Sequence, residues 1–322
     1  MSWETLKERL GLVGQGSSAP FVLPPVVLEL EPDFVAGARL EGSPRQVRRL
    51  GVRELEVGAL LPFPSRPNIV DEGAVRRAVS GVVEAVGNGS SRLGLLLPDA
   101  SVRVAVLRFE TLPEDRKEAE SLVRWRMRDI LPFAPEEARV CYQVLARETD
   151  AIELLALAVR NSVLAEYEAA LESVNGGASL ILPATVALLP LLPEGTEPGQ
   201  LLIHVCFGSI TTVMVAEDRV RFWRNRALQR TVPGELPGEV AREVGRVLAT
   251  CRDHLKVEVG HVWLCARPAE PAELGEELAR ALGREVRPLP GGAGRAAMLP
   301  PTEQELFQRF GMTFAGLVAN LG

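Results

Sequence analysis

The strongest constraint on the fold of this chain is a pattern that occurs twice. Alternating apolar residues predict strands at 26–31, 34–41 and 49–57, a helix at about 71–86 and a buried strand at 93–98. Val75, Val79, Val82, Val83 and Val86 share one stripe of that helix. From Leu201 the order returns, with strands "LLIHVC" (201–206), "TTVMV" (211–215) and "RVRFW" (219–223). A helix follows at about 238–255, with Val240, Val244, Val247, Leu248, Cys251 and Leu255 on one stripe. A strand "HVWLC" (261–265), a helix at about 271–283 and a strand around Val286 close the second copy. Two β-β-β-α-β units, each opened by a tight hairpin, form an internal duplication and call for two lobes of like topology.

Between the copies lies a different module, about residues 100–176. It reads strand (101–110), helix (114–131), strand (139–147), strand (151–158) and helix (161–174), with Asn161 as the expected N-cap. The stretch "ASLILPATVALLPLL" (178–192) then returns to the core as a strand and an apolar helix. The expected fold class is α/β: the actin-like (ribonuclease H-like) two-lobed fold, with a small α/β insertion of the 1C type in the first lobe. The passage "RNRALQRTVPGELPGEV" (224–240) is too short for several further helices, so the 2B subdomain is reduced. The expected divisions are an N-terminal helix and linker (1–25), a first lobe (26–99 plus 177–196), the insertion (100–176) and a second lobe (197–322). In this architecture the two opening hairpins normally clamp a nucleotide.

Composition narrows the function classes. A chain of 322 residues, 47% hydrophobic, buries a substantial core. With 36 basic against 42 acidic residues and a net charge of −6, no broad basic surface is available for nucleic acid. Lysine occurs only at Lys7, Lys117 and Lys256, none after a glycine-rich loop, which excludes a P-loop ATPase. No apolar run approaches the ~20 residues of a membrane span, and the N-terminus lacks a signal core. Cys141, Cys206, Cys251 and Cys265 lie inside strand or helix patterns, as suits a reducing compartment, so a cytoplasmic location is expected. Residues 2–13 predict a short helix with Trp3, Leu6, Leu10 and Val13 on one side, followed by a linker rich in Gly, Ser and Pro. Within it, Gly14-Gln-Gly16-Ser-Ser-Ala19 matches a dinucleotide fingerprint in letters only: no strand precedes it and Pro20 follows.

Other constellations carry less. Cys251, His254, His261 and Cys265 have zinc-like spacing, but Cys251 lies on an apolar helical stripe while His261 and Cys265 belong to a strand, so no metal is expected. His204 and Cys206 share a strand face, and core packing is preferred to a catalytic dyad because same-face neighbours rarely point at one another. Trp125 falls nearly opposite the stripe of Ala119, Leu122, Val123, Met127, Ile130 and Leu131. From sequence alone it either anchors a partner or is covered by the insertion's own sheet.

The segment "ESLVRWRMRDILPFAPEEARVCYQVL" (120–145) resembles one that type IV pilus assembly proteins of the PilM family carry in their insertion: a helix with a central Trp, then Leu-Pro-Phe, acidic residues and a Tyr-Gln-Val-Leu strand. "ELLALAVRNSVLAEYEAALESVNG" (153–176) resembles that family's next strand–helix unit, and "TFAGLVANLG" (313–322) its C-terminal helix. FtsA and the cytoplasmic domain of GspL are more distant relatives by the same resemblance. The likeness spans roughly residues 26–322 in element order and is specific mainly over 111–176.

The nucleotide elements depart from the family. Its members carry Asp-Ile-Gly and small polar residues in the first hairpin, where backbone N–H groups surround a phosphate. Here Glu31-Pro32-Asp33 removes one donor and adds two carboxylates. The second hairpin, "HVCFGSITT", has His204 near the acid's place, with Gly208, Ser209, Thr211 and Thr212 as an echo. The patch after strand 261–265 reads Ala266-Arg-Pro-Ala-Glu270 rather than glycines. The resemblance therefore implies a non-enzymatic cytoplasmic scaffold of type IV pilus assembly with a degenerate cleft (Glu31, Asp33, His204, Gly208, Ser209, Thr211) and no cofactor. It would grip the cytoplasmic tail of an inner-membrane PilN-like partner between the first lobe and the insertion, with Trp125, Arg128, Leu131 and Phe133 lining the groove. It would be peripheral at the inner membrane through its partners, with other pilus platform or motor proteins as further contacts. The alternatives are an ATP-Mg-binding switch of the same machinery and a GspL-like scaffold of type II secretion.

Overall fold

The computed structural model describes residues 24–42, 46–87, 93–172, 177–194, 198–228, 235–267, 271–290 and 299–310, with Phe314 and Leu317. The helix expected at 2–13 lies outside the described residues.

Each predicted copy folds as a five-stranded mixed sheet. The first uses β1 (Val26–Glu31), β2 (Phe34–Glu41), β3 (Gln46–Glu54), β4 (Leu93–Leu97) and β8 (Ala178–Pro183), in the order β3-β2-β1-β4-β8. The second uses β9 (Gly199–Cys206), β10 (Ser209–Ala216), β11 (Arg219–Ala227), β12 (Val259–Ala266) and β13 (Arg287–Pro288), in the order β11-β10-β9-β12-β13. In both sheets the first three strands are antiparallel and the fourth and fifth add in parallel, so the duplication holds at the level of topology. The third strand is displaced from its expected 49–57 and begins at Gln46, which pairs with Glu41. The β10–β11 hairpin turns on Glu217 and Asp218, both at positive φ (53° and 56°), as a two-residue turn matched to strand twist requires.

Helix α1 (Glu72–Val86) is capped by Asp71, whose side chain accepts from the Ala74 N–H, and it lays its valine stripe on Val26, Leu28 and Leu30. Its counterpart α5 (Leu236–Thr250) runs into a π-helical turn at Cys251–Leu255 and covers Leu201, Ile203 and Val205 together with α6 (Pro271–Leu282). The apolar helix α4 (Ala184–Leu188) and the turn after it fill the other face of the second sheet, against Leu202, Val213 and Trp223.

The insertion is a three-stranded antiparallel sheet ordered β5-β7-β6, from β5 (Arg103–Phe109), β6 (Ala138–Glu148) and β7 (Ala151–Arg160). Helix α2 (Arg116–Met127), capped by Asp115, covers one face. Two segments pack elsewhere than their expected divisions. Helix α3 (Asn161–Ala170), counted with the insertion, buries Val163, Leu164 and Tyr167 in the first-lobe core. The C-terminal segment, counted with the second lobe, puts Phe307 of α7 (Pro301–Phe310), Phe314 and Leu317 against β2 and β3 of the first. Asn161 is the first residue of α3 rather than its cap; the cap position is Arg160, which makes no side-chain capping bond.

Gly37 in β2 has no room for a side chain, since a Cβ there would lie 2.6 Å from Val82 Cγ1 and 2.8 Å from Leu28 Cδ2. Gly37→Ala should destabilise the fold by about 1–3 kcal/mol through overpacking. Denaturant unfolding will show it as a lower midpoint with an unchanged slope.

Candidate functional site

The two opening hairpins face one another across the seam between the lobes, and the seam is filled by the protein's own side chains. On β1, Val27, Glu29 and Glu31 share one face, and both carboxylates are buried. Arg267, just beyond β12, sits between the lobes. Its guanidinium lies 3.6 Å from Glu29 Oε1, 3.8 Å above the Phe34 ring and 3.9 Å from Cys206 Sγ. The peptide N–H of Arg267 donates to the Val205 carbonyl at 2.8 Å, so the strand pairing itself aims the side chain.

A second knot forms around Asp99, in the turn that follows β4. Its carboxylate accepts from the Thr185 N–H (3.1 Å) and from Thr211 Oγ1 (2.7 Å), and also bonds Thr185 Oγ1. His204 Nδ1 lies 2.7 Å from Thr185 Oγ1 and 3.4 Å from Asp99 Oδ2. Asn225 Nδ2 donates to Thr211 Oγ1 at 2.9 Å. Asp99 and Thr185 belong to the first-lobe side and His204, Thr211 and Asn225 to the second, so this network stitches the lobes together.

Charges in the seam are matched internally. Burial opposes charge on His204, but Cys206, Cys265 and the Asp99 hydrogen bond outweigh it and hold the imidazole well above its usual pKa. Burial likewise opposes charge on Asp99, and the contacts with His204 and Thr185 outweigh it, lowering its pKa. Burial, reinforced by Glu29, pushes Glu31 well above the usual carboxylate range, consistent with an Oε1 that has no hydrogen-bond partner. Arg267 thus faces Glu29 and His204 faces Asp99, while burial disfavours charge on Glu31. His204 and Cys206 do meet, with Nε2 2.9 Å from Sγ, contrary to the expectation that same-face neighbours point apart. The imidazole is tied to Thr185 on one side, which turns its other nitrogen to the sulfur. Burial pushes the Cys206 thiol up to about 12, so it is protonated at neutral pH and a poor nucleophile.

The expected cleft residues therefore divide. Glu31, His204 and Thr211 meet in the seam, Asp33 is half-buried toward Arg267, Ser209 is buried, and Gly208 is exposed in its hairpin turn at φ 79°. Sequence reasoning passed over Glu29, Asp99, Thr185, Asn225 and Arg267. The available signal was the pair of carboxylates at 29 and 31 on one face of an otherwise apolar strand. Cys251 and Cys265 pack in different core clusters and His261 stacks on Trp263, so the zinc-spaced residues do not converge.

A groove runs between the insertion and the first lobe, with a cavity of about 210 Å³. Arg139 and Cys141 of β6 and Leu157 of β7 line one wall, and Ser179 and Ile181 of β8 the other, with Glu168 of α3 nearby. Both β6 and β8 are edge strands of their sheets, so backbone groups border the groove on each side.

Trp125, Arg128, Leu131 and Phe133 do not line this groove. Strand alternation sends Ile152, Leu154, Ala156 and Ala158 of β7 toward α2, and Leu157 and Val159 toward the groove. Helix α2 and its trailing turn thus lie on the opposite face of the insertion sheet. Trp125 is 53% exposed, with the Arg128 guanidinium stacked 4.0 Å from its ring. Leu131 and Phe133 are half-buried against the α2-side cluster. The helix ends at Met127, and the turn after it folds the chain back onto the sheet.

Two outcomes follow from the seam. Arg267→Ala strands Glu29 in a buried site and should cost about 3–5 kcal/mol in denaturant unfolding. The raised pKa of Glu31 means that its stabilising contribution is complete below its usual value near 4.5 and is lost as pH rises through the folded-state value. Glu31→Gln keeps the group neutral, so its stability should fall less than that of the parent as pH rises above about 5. Parallel pH profiles for the two proteins would contradict the assignment.

No protein-family model matches the chain, and no curated protein matches it. Among solved structures, a chain of the "PilM-PilN type IV pilus biogenesis complex" superposes with a TM-score of 0.77 at 19% identity, covering 93% of this chain and 98% of that one. A Bacteroides thetaiotaomicron protein "with actin-like ATPase fold and unknown function" superposes with a TM-score of 0.55 at 8% identity, covering 85% of this chain and 93% of that one. With these likenesses and its duplicated sheets, the chain has the actin-like two-lobed fold.

Proposed function

We propose that this protein is a non-enzymatic, PilM-like scaffold of type IV pilus assembly that binds the cytoplasmic tail of an inner-membrane PilN-like partner. The observation that carries the reading is the groove between the insertion and the first lobe, bordered by the edges of β6 and β8 and floored by apolar side chains. An extended tail gains affinity from main-chain pairing to such an edge and selectivity from alternate side chains entering the groove. The superposition on a chain of the PilM–PilN complex over 93% of the residues supports the same reading.

The filled seam supports a scaffold rather than a nucleotide switch. A triphosphate would have to displace the Arg267 guanidinium from Glu29 and place its own negative charge beside that buried carboxylate. No helix among the described residues is long and apolar enough to cross a membrane.

Thermal-shift titration with Mg-ATP should leave the melting temperature unchanged. A site saturated at 100 times its Kd would add about 2.7 kcal/mol, and a shift of that order would favour the switch reading. A peptide copying the cytoplasmic tail of a PilN-like protein should bind. Cys141→Arg and Ser179→Arg, at two exposed groove positions, should each weaken it tenfold or more, about 1.4 kcal/mol, with unchanged circular dichroism. Trp125→Ala should leave that affinity unchanged. Tail binding indifferent to both groove variants would overturn the assignment.

A further inference from the structure

Independently of the tail-binding reading, we infer that the C-terminal end of α2 docks on an anionic lipid surface. Trp125 enters the headgroup layer there, and Arg124, Arg126 and Arg128 face the lipid phosphates. Trp125 is the largest exposed apolar side chain among the described residues, and Ile130, five residues on, is exposed as well. The folding of the insertion does not call for an indole at this position, since Ala119, Val123 and Met127 already fill the face of α2 that meets the sheet. Indoles normally find cover in a core or an interface.

The charges around the ring suit an anion. Arg128 stacks 4.0 Å from the Trp125 ring and lies 3.5 Å from Asp129, so that cation already has its carboxylate. Arg124 and Arg126 flank Trp125 in the helix and have no ion-pair partner among the described residues, and Arg124 Nε is buried without a hydrogen-bond partner. Neighbouring carboxylates are committed elsewhere, Glu120 lying 2.8 Å from Arg116 and Glu137 2.8 Å from Arg160. Glu118 stands two turns back along the helix, about 10 Å away, and Glu136 in the turn that leads into β6. Cations at a helix C-terminus also complement the peptide dipoles, which accounts for the arginines but not for the exposed indole among them. Indole and guanidinium together suit the boundary between headgroups and acyl chains.

Shape separates lipid from an acidic protein. Helix α2 ends at Met127 and the chain then folds back onto the sheet, so Trp125, Arg126, Arg128, Asp129 and Ile130 form an exposed corner. A corner offers a folded partner little of the area that a specific interface buries. It can enter a headgroup layer, where each basic residue adds about fivefold to partitioning. The chain as a whole carries a net charge of −6, which an anionic surface repels, so attachment is oriented and weakens with salt. The groove opens on the other face of the insertion sheet and stays free.

Co-sedimentation of the full chain with vesicles at low ionic strength tests the contact. Binding to vesicles of mixed phosphatidylcholine and phosphatidylglycerol should exceed binding to phosphatidylcholine alone by about tenfold or more, and should fall as salt is added. The double variant Arg126→Glu, Arg128→Glu should lose about tenfold or more, and Trp125→Ala about threefold, with unchanged melting temperatures. The double variant Arg126→Lys, Arg128→Lys should retain binding, because the lipid is drawn to charge. No preference for the anionic vesicles overturns the inference. Anionic binding that the charge-reversed and Trp125→Ala variants retain in full puts the lipid contact elsewhere on the chain and also overturns it. A parent protein that ignores both kinds of vesicle but binds a polyglutamate peptide through the same arginines gives the corner to an acidic protein, which overturns it as well.

Discussion

The structure depends on one guanidinium held between the lobes. Arg267 reaches across from the end of a second-lobe strand to Glu29 and the Phe34 ring in the first lobe, with the Cys206 sulfur beside it. A guanidinium in that position cannot shed its charge, so the seam must supply a carboxylate, and Glu29 does. The knot of Asp99, Thr185, His204 and Thr211 adds a second bridge between the lobes. Both contacts are made between side chains of the two lobes and favour one arrangement of the lobes.

The insertion extends that logic on the outside. The groove-side face of its sheet also touches the second lobe, where Glu153 lies 3.3 Å from Arg219 and 3.7 Å from Arg221 of β11. Residues of β5, β6 and β7 that point away from α2 therefore do two things. Toward one end they pack on the second lobe, and toward the other they form a wall of the groove. A groove whose walls belong to elements fixed in this way is preorganised.

The recognisable sequence segment and the groove belong to the same module but to different faces of it. Residues 120–133 carry the recognisable letters, yet several of them, Val123, Met127, Leu131 and Phe133, serve the packing of α2 on its own sheet. A motif can be distinctive because it folds a module rather than because it touches a ligand. The groove residues, Arg139, Cys141, Leu157, Ser179 and Ile181, come from three strands and form no contiguous motif.

What the sequence determined by itself was whatever depends on period and order. The apolar alternation and the valine stripes specified two β-β-β-α-β units, the short 224–240 passage and an inserted strand–helix–strand–strand module, because side-chain periodicity is a local property of the backbone. The replacement of glycines by Glu31-Pro32-Asp33 was equally legible, since turn chemistry is local as well. Tertiary structure alone decided the rest. That Arg267 fills the seam depends on Glu29 of β1 and the end of β12, 238 residues apart in the chain, being brought face to face, and no spacing rule encodes that distance. Packing also decided that Cys206 and His204 touch, that α3 and the C-terminal segment join the first-lobe core, and that the groove opens on the face of the insertion away from Trp125. Sequence alternation identifies the two faces of a strand, but which face meets a neighbouring lobe is settled only when the lobes pack.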